Sequence, residues 1–291
     1  MTTIRPRRSV LYMPGSNARA LEKAQTLPAD TLILDLEDAV APDAKELARQ
    51  QVCDAAKARG FGKREIVVRI NALSTPWGYA DLAAAAGAKP DAILVPKISS
   101  PRDLHEIDEH LMGAGAHDAM AVWAMVETPR AILDIAAIAA AGGRLACFVM
   151  GTNDLIKEIR GHHTADRLNL SAALGLSVLA ARANDLAVID GVYNDIQDAN
   201  GFLATCNQAK SFGFDGKTLI HPSQVEPCNA VFAPSTEEVA AARRVIEAFD
   251  LPENKGKGAI KLDGRMVELL HAEIARGTVA MADAIAALGS A

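Results

Sequence analysis

Two acidic residues, Glu127 and Asp154, each follow an apolar run of the kind that forms a buried β-strand. The two runs are residues 121–126 and 145–150. Carboxylates just beyond parallel strands converge on one end of a barrel, and their oxygens are the ligands that Mg²⁺ prefers, with positions left open for water and substrate. The pair therefore predicts a divalent-metal site. The alternative is that each acid begins an ordinary helix, where a negative charge offsets the helix dipole.

Eight short apolar runs recur along the chain, and helix-start signals lie between them. Continuous apolar runs indicate strands that are covered on both faces. Strict alternation of strand and helix means parallel strands, and eight units predict a closed (β/α)8 TIM barrel. A doubly wound open sheet is the main alternative, although residues 14–17 lack the glycine pattern of a dinucleotide site. We predict a catalytic barrel over residues 1–234 and a C-terminal helical lid or tail over residues 235–291.

Polar residues follow the predicted strands in a regular way. In a barrel these positions meet at one mouth, although they span two hundred residues of sequence. We expect His221 to be structural and Lys97 either to contact a phosphate or to brace the acids. The positions at or beyond the strand ends are Pro14 and Gly15, Glu37 and Asp38, Arg69 and Asn71, Lys97, Glu127, Asp154, residues 193–195, and His221.

The composition excludes several classes of protein. Half of the 291 residues are hydrophobic and the formal net charge is −6, which is typical of a globular protein without the basic surface that nucleic acids need. The four cysteines show no Cys-x-x-Cys spacing, so neither a zinc site nor a disulfide framework is expected. No signal peptide or membrane-crossing run is recognisable. We therefore expect a cytoplasmic protein that binds neither nucleic acid nor membrane.

Five ordered motifs resemble the citrate lyase β-subunit-like family of the HpcH/HpaI aldolase superfamily, which includes malyl-CoA and citramalyl-CoA lyase relatives. They are RSVLYMPGSN, DLEDAV, VRINA, MVETP and GTNDL, and the resemblance runs from about residue 8 through residue 224 into the tail. It implies a Mg²⁺-dependent (β/α)8 barrel that cleaves or forms carbon–carbon bonds in β-hydroxyacyl thioesters. It also implies a homotrimer or hexamer.

The resemblance assigns roles to the acids and to one arginine. Glu127 and Asp154 are similar to the direct ligands of Mg²⁺, for which Mn²⁺ is an alternative, and Glu37 and Asp38 are similar to acids that hold metal-bound waters. Arg69 is similar to the arginine that binds the thioester or keto-acid oxygen. The alternative for Arg69 is a structural ion pair with Glu37 or Asp38.

Two further groups of residues are candidate substrate contacts. By resemblance, the turn after the sixth strand receives the carboxylate of the small acid on its backbone N–H groups, and its residues are Gly151, Thr152, Asn153, Asp154 and Leu155. Residues of the first strand and helix are the candidate CoA contacts, and the two charged ones could instead be solvated helix charges. These residues are Tyr12, Pro14, Gly15, Arg19 and Lys23.

The predicted lid departs from the family pattern. Lyases of this group carry an aspartate in a Gly-x-Met-Ile-Asp type of motif, often donated by a neighbouring subunit, and this chain has Glu268 at that position. A glutamate is one methylene longer, and a misplacement near 1 Å can cost on the order of a hundredfold in rate. Asp263, five residues earlier, is the alternative lid acid.

The resemblance favours a Mg²⁺-dependent lyase that acts on a short β-hydroxyacyl-CoA such as malyl-CoA or citramalyl-CoA, with CoA entering as part of the substrate and a keto acid as a product. Three alternatives remain open. The chain could be a citrate lyase β subunit that acts on an acyl carrier protein within a complex. It could also be a metal-dependent 2-keto-acid aldolase, or an acyl-CoA thioesterase in which Glu268 positions water.

Overall fold

The computed structural model describes residues 4–289, and its centre is a closed barrel of eight parallel strands. Each strand pairs with the next one along the chain, and the first pairs with the eighth. The predicted (β/α)8 TIM barrel is therefore confirmed. The strands are β1 (Ser9–Pro14), β2 (Thr31–Asp35), β3 (Glu65–Arg69), β4 (Ala92–Val95), β5 (Ala121–Val126), β6 (Leu145–Met150), β7 (Ala187–Asp190) and β8 (Gly216–Leu219).

Helices fill the connections between the strands, and several begin where the sequence places a cap. Ser100 and Asp103 form a reciprocal capping box, and the Thr128 hydroxyl accepts the backbone N–H of Ala131. These helices are α1 (Ala18–Ala24), α2 (Lys45–Ala58), α3 (Gly78–Ala88), α4 (Pro101–Gly113), α5 (Pro129–Leu133), α6 (Ile135–Ala139), α7 (Thr152–Glu158), α8 (Ser171–Ala183), α9 (Ala199–Phe212) and α10 (Val225–Phe232). Among the described residues, no helix is both long enough and apolar enough to span a membrane.

The barrel interior is filled by apolar side chains from alternate strand positions. Ile33, Val67 and Trp123 are fully buried in one cluster. Because side chains on one face of a strand recur every second residue, the same face continues to Asp35 on β2 and to Arg69 on β3. Asp35 and Arg69 are also register partners across the β2–β3 pair. The period of the strands therefore directs charged side chains inward at the carboxyl end.

Two ion pairs lie at the amino end of the barrel. Arg7 donates to both carboxylate oxygens of Glu65, at 2.6 and 2.8 Å. Arg8 does the same to Asp30, at 2.8 Å for each contact. The Arg7 guanidinium also lies 5.1 Å from the ring centre of Trp123. These pairs tie β1 to the starts of β2 and β3.

The chain divides into two compact units, the barrel from Arg7 to Val231 and a C-terminal unit from Phe232 onward that includes the residues before Arg7. The C-terminal unit contains α11 (Thr236–Asp250), an antiparallel hairpin of β9 (Ala259–Leu262) and β10 (Arg265–Glu268), and α12 (Leu269–Gly289). Its small core is formed by Phe249, Ile260 and Ala272. The sequence predicted only helices and a loop here. The boundary at residue 234 remains a prediction.

Candidate active site at the carboxyl end of the barrel

The β2 end carries three acids, and the innermost of them was not predicted as a site residue. Asp35 is fully buried, and its carboxylate accepts the backbone N–H groups of Glu37 at 2.9 Å and Ala39 at 3.1 Å. It also accepts two hydrogen bonds from Arg69, from Nε at 2.6 Å and from Nη2 at 2.7 Å. Asp35 therefore fixes both the turn that presents Glu37 and the guanidinium of Arg69.

Arg69 is buried and pairs with every acid at the β2 end. Besides the contacts with Asp35, its Nη1 lies 2.9 Å from the Glu37 carboxylate and 3.4 Å from that of Asp38. Its guanidinium lies 4.7 Å from the ring centre of Tyr12. Burial opposes the charge of Arg69, but Asp35 outweighs it and holds the arginine pKa above its usual value. The ion pairs weighed for Arg69 are thus present, and its contact with substrate oxygen stays a prediction.

Glu127 and Asp154 are brought together by one ammonium group. The Lys97 Nζ lies 2.8 Å from Asp154 Oδ2 and 3.5 Å from Glu127 Oε1. The backbone N–H of Lys97 also donates to Glu127 Oε1 at 2.8 Å. Glu127 is only 1% exposed, whereas the Asp154 side chain is 28% exposed. The two predicted metal ligands therefore contact the same positive charge.

The two acids differ in how their surroundings affect ionisation. Burial raises the pKa of Glu127 to about 7, against the opposing effect of Lys97. Burial acts in the same direction on Asp154, but the hydrogen bond with Lys97 outweighs it and lowers the pKa. Asp154 lies in the first turn of α7, so the helix-dipole alternative also describes it. Glu127 lies before the Thr128 cap of α5 and bonds to the loop after β4, so that alternative does not explain Glu127.

The donor set fits a divalent ion that keeps several open coordination positions. In the portion of the chain spanning residues 4–289, no group of three or more His, Cys, Asp or Glu side chains could hold a metal. A site built on Glu127 and Asp154 would therefore complete its shell with water or substrate, as Mg²⁺ sites with one or two carboxylates do. The Lys97 ammonium shows that one cation can contact both carboxylates at once.

The turn after β6 requires a glycine next to Glu127. A Cβ atom on Gly151 would lie 2.6 Å from Glu127 Oε2, so any larger residue would displace the carboxylate. The N–H of Gly151 donates to Val126 and that of Leu155 donates to Gly151, so both are used within the fold. Residues 152–154 form the first turn of α7, where backbone N–H groups have no helical acceptor. Among the five predicted carboxylate contacts, these three remain the candidates.

A cavity of about 290 Å³ at the mouth is lined by several of the predicted residues. Tyr12 lines it, yet its hydroxyl is buried and has no hydrogen-bond partner among the described residues. This position is beside Arg69 in the barrel interior, not on the surface where a CoA phosphate would bind. The predicted residues that line the cavity are Tyr12, Asp38, Arg69, Glu127, Gly151, Thr152, Asn153, Asp154 and Asn194.

The remaining CoA candidates lie at the end of β1 and on α1. Gly15 packs against β2, because a Cβ there would lie 2.5 Å from the Asp35 carbonyl oxygen, and its own N–H donates to that oxygen. Pro14 is the last residue of β1. Arg19 and Lys23 are exposed, one turn apart on α1, so both the CoA-contact prediction and the solvated-charge alternative remain open.

Sequence reasoning missed a buried lysine that supports the acidic turn. The Lys45 Nζ donates to the carbonyl oxygens of Leu36 and Glu37, each at 2.8 Å, and to Asn71 Oδ1 at 2.6 Å. A lysine in an otherwise ordinary helix start gives no sequence signal of burial. Asp35 did give one, because it is a carboxylate within an apolar strand.

The predicted lid acids belong to the C-terminal unit. Glu268 is the last residue of β10 and is exposed, and its backbone N–H donates to His271 Nδ1 at 3.0 Å. Asp263 lies in the hairpin turn with a left-handed backbone, φ 51°. The roles of both acids in proton transfer stay predictions.

Comparison with known proteins agrees with this geometry. Residues 8–222 match the family model described as HpcH/HpaI aldolase/citrate lyase. A (3S)-malyl-CoA thioesterase of Cereibacter sphaeroides is 50% identical over 282 residues, which cover 97% of this chain and 96% of that protein. The citrate lyase subunit beta of Escherichia coli is 34% identical over 269 residues, which cover 91% of this chain and 89% of that protein.

A solved structure extends the similarity to three dimensions. The protein CitE from Mycobacterium tuberculosis, in complex with magnesium, acetoacetate and coenzyme A, is 32% identical and superposes with a TM-score of 0.75. The match covers 95% of this chain and 99% of that chain. With the family model matching most of the barrel, this chain belongs to the HpcH/HpaI aldolase/citrate lyase family.

Proposed function

We propose that the protein is a Mg²⁺-dependent lyase that cleaves a short β-hydroxyacyl-CoA, such as malyl-CoA or citramalyl-CoA, into an acyl-CoA and a keto acid. The observation that carries the proposal is the pair of carboxylates, Glu127 and Asp154, that contact one cation at the barrel mouth. The related CitE structure, in complex with magnesium, acetoacetate and coenzyme A, supports the same chemistry. Mn²⁺ is the alternative ion.

The proposed metal site shares its cavity with a fixed positive charge. A bound Mg²⁺ would supply Lewis acidity to the hydroxyl and carboxylate oxygens of the substrate. Arg69 stays charged because Asp35 binds its guanidinium in two places, so it can stabilise the negative charge that develops on the thioester oxygen when the carbon–carbon bond breaks. In the proposed reaction the first backbone N–H groups of α7 bind the carboxylate of the small acid. Asp38 and Glu37 would bind metal-coordinated waters.

Cleavage also needs a proton for the new methyl group. In the proposed reaction Glu268, or Asp263 in its place, gives that proton to the α-carbon, and the same group removes it during condensation. We propose that three or six copies of the chain assemble so that this acid serves a neighbouring subunit. Light scattering on the purified protein should then give three or six times the mass of one chain, and a monomer that turns over substrate would contradict this arrangement.

A thioesterase is the second candidate, because a relative that is 50% identical is named a (3S)-malyl-CoA thioesterase. The two reactions differ in their products. Lysis of malyl-CoA gives acetyl-CoA and glyoxylate, whereas hydrolysis gives malate and free CoA. In the thioesterase, Glu268 would position the attacking water instead of donating a proton to carbon.

The experiment incubates purified protein with Mg²⁺ and malyl-CoA and follows all four products by mass spectrometry. Lysis in deuterated water should place one solvent deuteron in the acetyl methyl group. Hydrolysis in ¹⁸O-labelled water should place one label in the carboxylate of malate. The Glu127→Gln variant is the control for contaminating activity. If neither malyl-CoA nor citramalyl-CoA is consumed, the proposal fails, and a citryl thioester on an acyl carrier protein and free 2-keto acids become the substrates to test.

The compartment is part of the same proposal. The structure leaves Cys53, Cys147, Cys206 and Cys228 as free, buried thiols. Unpaired thiols of this kind are compatible with the cytoplasmic location expected from the sequence, which stays a prediction.

A further inference from the structure

Lys97 is held in a backbone conformation that lysine rarely adopts. It follows β4 by two residues and has φ 59°, in the left-handed region. A non-glycine residue pays a conformational cost there unless its surroundings fix it. What fixes Lys97 is Glu127, whose Oε1 accepts the Lys97 backbone N–H at 2.8 Å. The strained residue is therefore bound to one of the two proposed metal ligands.

The side chain of the same residue spans both ligands. Its ammonium lies 2.8 Å from Asp154 and 3.5 Å from Glu127. The ammonium donates hydrogen bonds and a divalent ion accepts lone pairs, but both are attracted to the same carboxylate oxygens. A divalent ion bound between the carboxylates would also repel the ammonium. The two cations therefore exclude each other from this position.

The Lys97 side chain is partly exposed to solvent. It is 36% exposed, in contrast to the 2% of the Glu127 side chain. Four methylene groups separate the ammonium from the backbone, so rotation of the side chain moves the charge without breaking the backbone contact with Glu127. Glu127 therefore keeps its backbone contact whether the ammonium is in or out.

We propose that the Lys97 ammonium is a built-in counter-ion of the metal site. It holds Glu127 and Asp154 together in the metal-free protein, and the entering Mg²⁺ displaces it toward solvent. Metal affinity is then lower than the two carboxylates alone would give. The inference rests on the proposed function, because it requires Glu127 and Asp154 to be metal ligands.

The test measures Mg²⁺ and Mn²⁺ affinity by titration calorimetry on chelator-treated protein, without substrate. Lys97→Met keeps the length of the side chain and removes its charge, so the dissociation constant should fall about threefold to tenfold, which corresponds to about 0.7 to 1.4 kcal/mol. Lys97→Arg keeps the charge and should bind metal nearly as the unmodified protein does. Lys89→Met is the matched control, because Lys89 is also left-handed, φ 56°, and caps α3.

Thermal stability gives a second, independent readout. With chelator, Lys97→Met should melt below the unmodified protein, because its two carboxylates lose their counter-ion. With saturating Mg²⁺ the gap should close or reverse. If Lys97→Met does not fold, Lys97→Gln takes its place in both measurements.

The outcomes separate the inference from the function on which it rests. Unchanged or weaker metal binding by Lys97→Met would show that the lysine only braces the acids or binds a phosphate, and the inference would be wrong. If the unmodified protein and Glu127→Gln both fail to bind either ion, the proposed metal site itself is wrong. Tighter binding by Lys97→Met together with lost binding by Glu127→Gln supports both.

Discussion

The two ends of the barrel use buried charge differently. At the amino end each acid has one arginine, Glu65 with Arg7 and Asp30 with Arg8, and each pair is bidentate. Around the candidate site at the carboxyl end, five carboxylates form ion pairs with only two cations, Arg69 and Lys97. Balanced pairs tie strands together, whereas a surplus of negative charge is stable only when another cation or a proton joins it. This surplus of ion-paired carboxylates distinguishes the candidate site from the amino end.

A third buried cluster, around Asp190, shows how neighbouring cations change the pKa of a buried carboxyl group. Asp190 at the end of β7 binds two cations, Arg167 at 2.8 Å and Lys217 at 2.7 Å. Burial would raise the pKa of Asp190, but Lys217 and Arg167 together lower it. Glu37, by contrast, has its pKa raised to about 8 by burial and by the neighbouring acids, despite Arg69. Burial alone therefore does not decide the pKa of a carboxyl group. The acidic and basic groups around it decide whether its pKa is raised or lowered.

The largest expected effect comes from removing one metal ligand at the carboxyl end. Glu127→Gln keeps the size of the side chain but removes a charged oxygen donor, so we expect malyl-CoA turnover to fall at least about a thousandfold. This loss corresponds to about 4 kcal/mol of transition-state stabilisation, the scale of a lost Lewis acid. Stability should hold or rise slightly, because a buried carboxylate with a raised pKa is lost. Turnover and thermal melting on the same sample check both.

An intermediate effect is expected at the amino end, where the substitution should lower stability and leave turnover nearly unchanged. Glu65→Gln leaves Arg7 buried without its charged partner, so the free energy of unfolding should fall by about 3 to 5 kcal/mol. Turnover per folded molecule should stay within about twofold, since Glu65 lies at the start of β3 and the site lies at its end. Denaturant unfolding and active-site titration are the measurements. A large loss of turnover with intact stability would erase the distinction between the two ends.

The sequence predicted the barrel because its strands are continuous apolar runs, a signal that depends only on local composition. It also predicted that residues at the ends of several strands meet at one mouth, because strand ends converge in any closed parallel barrel. Glu127, Asp154 and Arg69 line one cavity for this reason.

Contacts set by side-chain direction were not predictable in the same way. Asp35 is the last residue of β2, and its inward direction onto Arg69 follows from the two-residue period once the register is known. The position of Lys97 between Glu127 and Asp154 depends on a left-handed backbone that no composition signal indicates. The β9–β10 hairpin was missed because its strands have four residues each and are largely exposed.

The smallest expected effect is a pH dependence of stability that arises at the carboxyl end. The Glu37 carboxyl is 15% exposed, and its pKa rises from 4.5 to about 8 in the folded protein. Between these values the folded state binds more protons than the unfolded state. The free energy of unfolding should therefore fall as pH rises from about 5 to 8, by up to about 1.4 kcal/mol per pH unit for this one group.

Two variants isolate this slope in chelator-treated protein. Glu37→Gln removes the titrating group, so its unfolding free energy should vary less between pH 5 and 8 than that of the unmodified protein. Glu46→Gln makes the same chemical change at an exposed position of α2 and should leave the slope unchanged. Urea unfolding at several pH values measures all three. An unaltered slope in Glu37→Gln would mean that the surplus charge at the mouth is relieved elsewhere, and the contrast between the two ends of the barrel would then rest on Glu127 alone.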